Sequence, residues 1–192
     1  MEGTIEKTKG KKKWISKKAR NFNQNWSSET EVHDMLYGLI KALKPEKVLE
    51  IGTFEGDTAL AIAKALQDNK LGHLTTIDIN DFGQEKFLSD NGVATFVTCI
   101  KQEALGYTNT LPAGSFDFIF IDGCHNFKYI ASDLESAGRL LKVSGYMLGH
   151  DVIMIPDVAS AYKNFIDKNS NNYQHMILDT YAGVFILKKI YG

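Results

Sequence analysis

From residue 46 onward the chain alternates short apolar runs with amphipathic or turn-rich segments, and this alternation limits the possible folds more than any other feature. The runs are KVLEIG (47–52), LTTIDI (74–79), TFVTCI (95–100), FDFIFID (116–122), GYMLGHD (145–151), HMILDT (175–180) and GVFILKK (183–189). The first five are joined by long connections, as crossover units require, so they predict a parallel sheet buried on both faces. Only Tyr181 and Ala182 separate the last two, which predicts an antiparallel hairpin. Between runs, Phe127, Ile130, Ala131, Leu134, Ala137, Gly138 and Leu141 recur at helical spacing, predicting a sheet-covering helix over 126–141. The expected architecture is α/β: a Rossmann-like, doubly wound, mostly parallel sheet.

Ahead of this core, Ser28 and Glu31 form a Ser-x-x-Glu pattern before Val32, Leu36, Leu39, Ile40 and Leu43, predicting a capped helix over about 29–43, ended by Pro45. Residues 1–27 show no such period and contain two isolated tryptophans, Trp14 and Trp26, so they are expected to form an arm preceding one domain over 28–192. Charge separates the two parts. Residues 1–20 carry +6, from seven lysines and Arg20 against Glu2 and Glu6, which leaves −7 for residues 21–192 of a chain whose net charge is −1. An arm of that sign could dock on its own body or hold a homo-oligomer together, and recognition of nucleic acid through it is disfavoured. The start MEGTIEKTKGKKK lacks an apolar signal core, and no run approaches the ~20 apolar residues of a membrane helix. Two cysteines, Cys99 and Cys124, make no disulfide framework. These features predict a soluble cytoplasmic protein.

A doubly wound sheet binds its ligand at the carboxyl ends of its strands. An acidic residue stands at or just past five of them: Glu50, Asp78, Glu103, Asp122 and Asp151. Carboxylates converging on one rim repel one another unless a cation lies between them. The turn after the first strand reads Glu50-Ile51-Gly52-Thr53-Phe54-Glu55-Gly56-Asp57. It lacks the G-x-G-x-x-G spacing and is too acidic for a pyrophosphate. S-adenosylmethionine, with its sulfonium and ammonium charges, suits it, and Asp78 stands where an acidic side chain accepts ribose hydroxyls.

VLEIGTFEGDTALAIA, LTTIDI, Gln102-Glu103-Ala104, FDFIFIDGCHNFKYIASDLESAGRLL and SGYMLGHDV together resemble the class I S-adenosylmethionine-dependent methyltransferases. The likeness is greatest to the branch with Asp-Gly-x-His after the fourth strand, which includes macrolide and other sugar O-methyltransferases. The resemblance implies a seven-stranded sheet with an antiparallel last strand. It also implies cofactor contacts from Glu50, Gly52, Thr53, Gly56, Asp78, Gln102 or Glu103, and Asp122. In metal-dependent members, carboxylates after the fourth and fifth strands hold Mg²⁺, and Asp122 and Asp151 occupy those places; otherwise they are solvated strand ends or touch the cofactor directly. Where that branch often has further acidic or amide groups, this chain has Cys124 and His150.

His125 and His150 are the candidate proton acceptors, since imidazole titrates near neutrality. His125, Tyr129 and Asp133 are spaced to form a row on the polar helix face, where His125 either acts in catalysis or bonds Asp133 structurally. The expected function is O-methylation of a small hydroxylated molecule, sugar-like or a natural product. Its acceptor would be selected by the arm, the loop after Asp151 or a second subunit. The alternative is a non-catalytic protein that keeps the cofactor fold and uses the basic arm for a partner.

Overall fold

The computed structural model describes the backbone of Glu6–Thr8 and Lys11–Lys13, and residues 28–192 in full. Within the arm, β1 (Glu6–Thr8) and β2 (Lys11–Lys13) pair antiparallel. Trp14, Trp26 and the docking expected of the arm lie outside the described residues.

Then follow α1 (Thr30–Leu43), β3 (Lys47–Ile51), α2 (Asp57–Asn69), β4 (His73–Asp78), α3 (Gln84–Asp90), β5 (Val97–Lys101), α4 (Ala104–Thr108) and β6 (Phe116–Ile121). The chain closes with α5 (Phe127–Leu140), β7 (Leu141–Gly149), α6 (Pro156–Asn169), β8 (Tyr173–Leu178) and β9 (Val184–Lys189). The sheet has seven strands in the order β5-β4-β3-β6-β7-β9-β8. The pairs from β5 to β7 are parallel, and β9 runs antiparallel to both its neighbours. The strand order reverses between β3 and β6, where a doubly wound sheet opens its ligand crevice.

Alternation in the central strands divides the core. Phe118 and Phe120 of β6 pack with Leu36, Ile40 and Ile62 of α1 and α2, whereas Ile119 and Ile121 pack with Ile130, Leu134 and Phe165 of α5 and α6. Both faces are therefore apolar, as the continuous hydrophobic runs required. Backbone bonding carries the ladder one residue beyond the strands. Gly52 donates to the Ile77 carbonyl at 2.9 Å, Asp122 to Ile51 at 2.8 Å, His150 to Ile121 at 3.1 Å and Gln102 to Asp78 at 2.9 Å. The first residues of the rim are thus held by the sheet and not by loops.

Three local expectations need correction. Ser28 does not cap α1. The N-cap is Glu29, without a side-chain capping bond, and the Ser28 hydroxyl instead meets His33 Nε2 and Thr58 Oγ1, both at 3.0 Å. The strand expected from 145 starts at Leu141, because α5 passes directly into β7 with Leu141 as its C-cap. The hairpin connection is also longer than two residues, since β8 ends at Leu178 and β9 begins at Val184.

Candidate functional site

The turn between β3 and α2 is shaped by backbone conformations that side chains resist. Gly52 and Gly56 have φ of 95° and 98°, and Phe54 adopts 47° between them. At Gly52 there is a second constraint: a Cβ would lie 2.1 Å from the Asp122 carbonyl oxygen. Glycine is required there because the ends of β3 and β6 touch. Asp78 fastens the turn. Its Oδ2 accepts the N–H groups of Thr53 at 3.1 Å and Phe54 at 2.9 Å, while Oδ1 accepts that of Asn80 at 2.9 Å. The Phe54 ring meets Phe82 edge-on, with centroids 4.8 Å apart.

Glu50 is not on a solvated rim, as the strand-end pattern suggested; it is fully buried. Thr53 Oγ1 lies 2.6 Å from Thr76 Oγ1, which donates to Glu50 Oε2. Since Thr76 spends its one proton on Glu50, Thr53 is the donor in this relay. The other carboxylate oxygen, Oε1, is buried with no hydrogen-bond partner among the described residues. Burial, opposed by the Thr76 bond and aided by the charges of Asp122 and Asp78, pushes the Glu50 carboxyl up to about 8. Such a group needs a donor, and a cationic ligand would return it to its charged form.

Asp122 and Asp151 converge as expected, with both histidines beside them. His125 Nε2 lies 2.9 Å from Asp151 Oδ2 and 3.8 Å from Asp122 Oδ1. His150 Nδ1 lies 3.4 Å from Asp151 Oδ2 and 3.5 Å from Asp122 Oδ1. Asp151 has a left-handed backbone, φ 64°, which turns the chain sharply just after His150. The Asp122 and Asp151 carboxylates push His125 up to about 10. Burial opposes the charge on His150, but Asp122, Asp151 and Glu29 outweigh it and raise that ring to about 12. Burial likewise works to raise Asp122 and Asp151, yet the two imidazoles hold both below the usual carboxylate range. The cation required among converging carboxylates is therefore supplied, in this state, by protonated histidines.

Asp122, His125 and Asp151 also offer three ligand atoms that lie within 4.8 Å of one another. His125 Nε2 is buried yet makes no aligned hydrogen bond despite its short approach to Asp151. An unaligned imidazole nitrogen facing two carboxylates is a donor set that fits a divalent cation.

The expected row of His125, Tyr129 and Asp133 does not form. His125 precedes the helix, whose cap is Asn126, and turns toward Asp122 and Asp151. Asp133 is 7% exposed and bonds no described residue. Gln102 and Glu103 sit exposed past β5, with Glu103 as the N-cap of α4. Glu29 had no recognisable sequence signal, although its Oε2 lies 2.5 Å from His150 Nε2 and its Oε1 accepts the Ala182 N–H at 2.8 Å. Around the rim, Ile79, Phe82, Tyr129, Ile153 and Met154 stay exposed.

A family model described as a methyltransferase domain matches residues 49–152, just over half of the chain. The caffeoyl-CoA O-methyltransferase of Stellaria longipes is 27% identical over 147 residues, covering 72% of this chain and 59% of that protein. The tapetum-specific methyltransferase 1 of Arabidopsis thaliana is 31% identical over 114 residues, 56% of this chain and 47% of its own length. The chain thus spans about half to three fifths of these curated relatives. Among solved structures, the O-methyltransferase TomG from Streptomyces achromogenes, in complex with S-adenosylmethionine, superposes with a TM-score of 0.74 at 20% identity, covering 88% of this chain and 83% of TomG. No helix among the described residues is long and apolar enough to cross a membrane.

Proposed function

The chain belongs to the methyltransferase-domain family, and on that premise we propose that it transfers a methyl group from S-adenosylmethionine to a hydroxyl of a small molecule. The observation that carries this reading is Glu50 Oε1, a buried acceptor without a partner, next to the left-handed glycine turn. Glu50, Gly52, Thr53 and Gly56 would cradle the amino-acid end of the cofactor. Asp78, with three of its roughly four acceptor positions used by backbone N–H groups, retains room for one ribose hydroxyl. Gln102 or Glu103 would border the adenine. The relatives named as caffeoyl-CoA O-methyltransferases support a hydroxyl of a small molecule as the acceptor.

The bound cofactor supplies an electrophilic methyl on sulfur. What the protein adds is alignment, exclusion of water and removal of the hydroxyl proton. Of the two candidate bases, His125 suits the task, because 38% of its side chain is exposed to an incoming acceptor. Only 6% of the His150 side chain is exposed and it is bonded to Glu29, so it orients the two carboxylates. The charged Asp122 and Asp151 carboxylates favour the protonated ring of His125, so it would act as a base only once they are neutralised. Those two carboxylates would hold a divalent cation, Mg²⁺ or a softer ion, and His125 serves as the base only where its Nε2 is not a ligand of that ion. Such an ion, when bound, lowers the pKa of a coordinated hydroxyl.

Titration calorimetry with S-adenosylhomocysteine tests the cofactor site, and transfer of labelled methyl to a panel of vicinal diols tests the acceptor class. No binding at ~1 mM ligand, about −4 kcal/mol or weaker, would remove the reading.

A further inference from the structure

We propose that Glu29, the N-cap residue of α1, is a positioning residue for the cation site of Asp122 and Asp151, on which its carboxylate acts by two separate routes. This deepens the function proposed above and rests on its cation reading. The first route runs through a side chain. Glu29 Oε2 meets His150 Nε2 at 2.5 Å, and Nδ1 of the same ring lies 3.4 Å from Asp151 Oδ2 and 3.5 Å from Asp122 Oδ1. An imidazole tethered at one nitrogen has its rotation fixed, so the other is held where it faces both aspartates. Only 6% of the His150 side chain and 9% of the Glu29 side chain are exposed, and water therefore competes little for the tether.

The second route runs through the backbone. Glu29 Oε1 accepts the Ala182 N–H at 2.8 Å, and the Ala182 carbonyl in turn accepts those of Ile153 at 2.9 Å and Met154 at 3.0 Å. The Gly183 carbonyl accepts the Val152 N–H at 3.3 Å, and a Cβ on Gly183 would lie 2.5 Å from Ile153 Cγ1. The loop between β8 and β9 is thus seated against the segment that leaves Asp151. Left-handed backbone at a residue with a side chain persists only where its surroundings over-determine it, and Asp151 has a φ of 64°. Glu29 secures both of its flanks: His150 by the ring, and Ile153 and Met154 through the loop. With both flanks held, the direction of the Asp151 carboxylate is set before an ion arrives.

The test is calorimetric titration of the full chain with Mn²⁺ and, separately, with S-adenosylhomocysteine. Glu29→Ala should weaken Mn²⁺ by about tenfold or more, the usual effect of losing a group that orients metal ligands, while S-adenosylhomocysteine affinity stays within about twofold. Glu29→Gln should keep most of the Mn²⁺ affinity, because its amide oxygen still accepts from Ala182 and its amine can donate to the other tautomer of His150. Glu29→Met fills the same space without a strong acceptor, so it should follow Glu29→Ala and replaces it if that variant does not fold. Unchanged Mn²⁺ affinity in Glu29→Ala or Glu29→Met, or a parallel loss for both ligands, would overturn the inference and leave the methyl-transfer reading standing. So would a loss in Glu29→Gln as large as in Glu29→Ala. No Mn²⁺ binding by the unmodified chain would overturn the cation reading together with this inference, and no S-adenosylhomocysteine binding would overturn the methyl-transfer reading alone.

Discussion

Glu29 and His150 share a 2.5 Å contact between Oε2 and Nε2 across 121 positions of sequence. It fixes the start of α1 to the end of β7, and through the Ala182 N–H the same carboxylate reaches the loop between β8 and β9. Three elements that meet at the rim are thus pinned by one side chain. Both partners are nearly buried, with 6% and 9% of their side chains exposed, so solvent screens the pair little.

Removing the carboxylate leaves a buried imidazolium short of a partner. Glu29→Ala should lower unfolding free energy by about 3 kcal/mol, the low end for breaking a buried pair, with Glu29→Gln milder. Urea denaturation measures this. A loss under ~0.5 kcal/mol would mean that the link is incidental.

The histidines also set the direction of pH dependence. Folding raises His125 from 6.5 to about 10 and His150 from 6.5 to about 12, so each stabilises fully below pH 6.5 and loses that contribution as pH rises through the folded value. Glu50, raised from 4.5 to about 8, acts in the same sense. The melting temperature of the metal-free protein should therefore fall as pH increases from 6.5 to 10, and His150→Gln should flatten the slope. Calorimetric scans across that range decide it; a rising profile would contradict the assignment.

Any cation that uses His125 must displace its proton. Binding should therefore release protons, seen as a buffer-dependent heat in titration calorimetry. A mixed carboxylate and imidazole set favours Mn²⁺ or Zn²⁺ over Mg²⁺. Asp151→Asn should weaken binding by about tenfold or more, and equal binding by that variant would place the ion elsewhere.

Gly52→Ala should be the most damaging small substitution in the turn, because its Cβ would lie 2.1 Å from a backbone oxygen and neither strand end can withdraw. Gly83→Ala is the control: it has a φ of 83° but nothing within 4 Å. The expected losses in urea melts are about 3 kcal/mol or more and about 1 kcal/mol. Similar losses would show that backbone conformation alone explains both.

Glu50→Gln should raise the melting temperature of the unliganded protein while weakening S-adenosylhomocysteine by about tenfold or more, since a buried acidic group is removed together with its charge-assisted bond. Thermal shift and calorimetry on one sample separate the effects. A variant that both melts higher and binds normally would remove Glu50 from the cofactor site.

Strand identity and sheet type were legible because central parallel strands are apolar on both sides, as FDFIFI in β6 shows without ambiguity. The glycine turn was legible for a similar reason, since φ of 95° at Gly52 leaves few choices of residue. Contacts between distant segments were not. Ser28 carries a helix-cap pattern, but Thr58 and His33 compete for its hydroxyl, and that competition exists only after α1 and α2 pack. Asp133 looked like a polar-face residue because helical spacing marks the face but not the loop that folds over it. Glu29 was unreadable on the same grounds, since its partner, His150, stands just past β7, with five helices in between.

The cluster at the rim is nearly balanced before anything binds, with Glu29, Asp122 and Asp151 set against two charged imidazoles. Opposite charges packed this closely cancel beyond a few ångströms, so little of their potential extends into solvent. The cluster itself therefore adds little to any pull on molecules diffusing toward the cleft. Selection there begins on contact, with the exchange of a proton or the closing of a hydrogen bond, and shape decides what stays long enough for either.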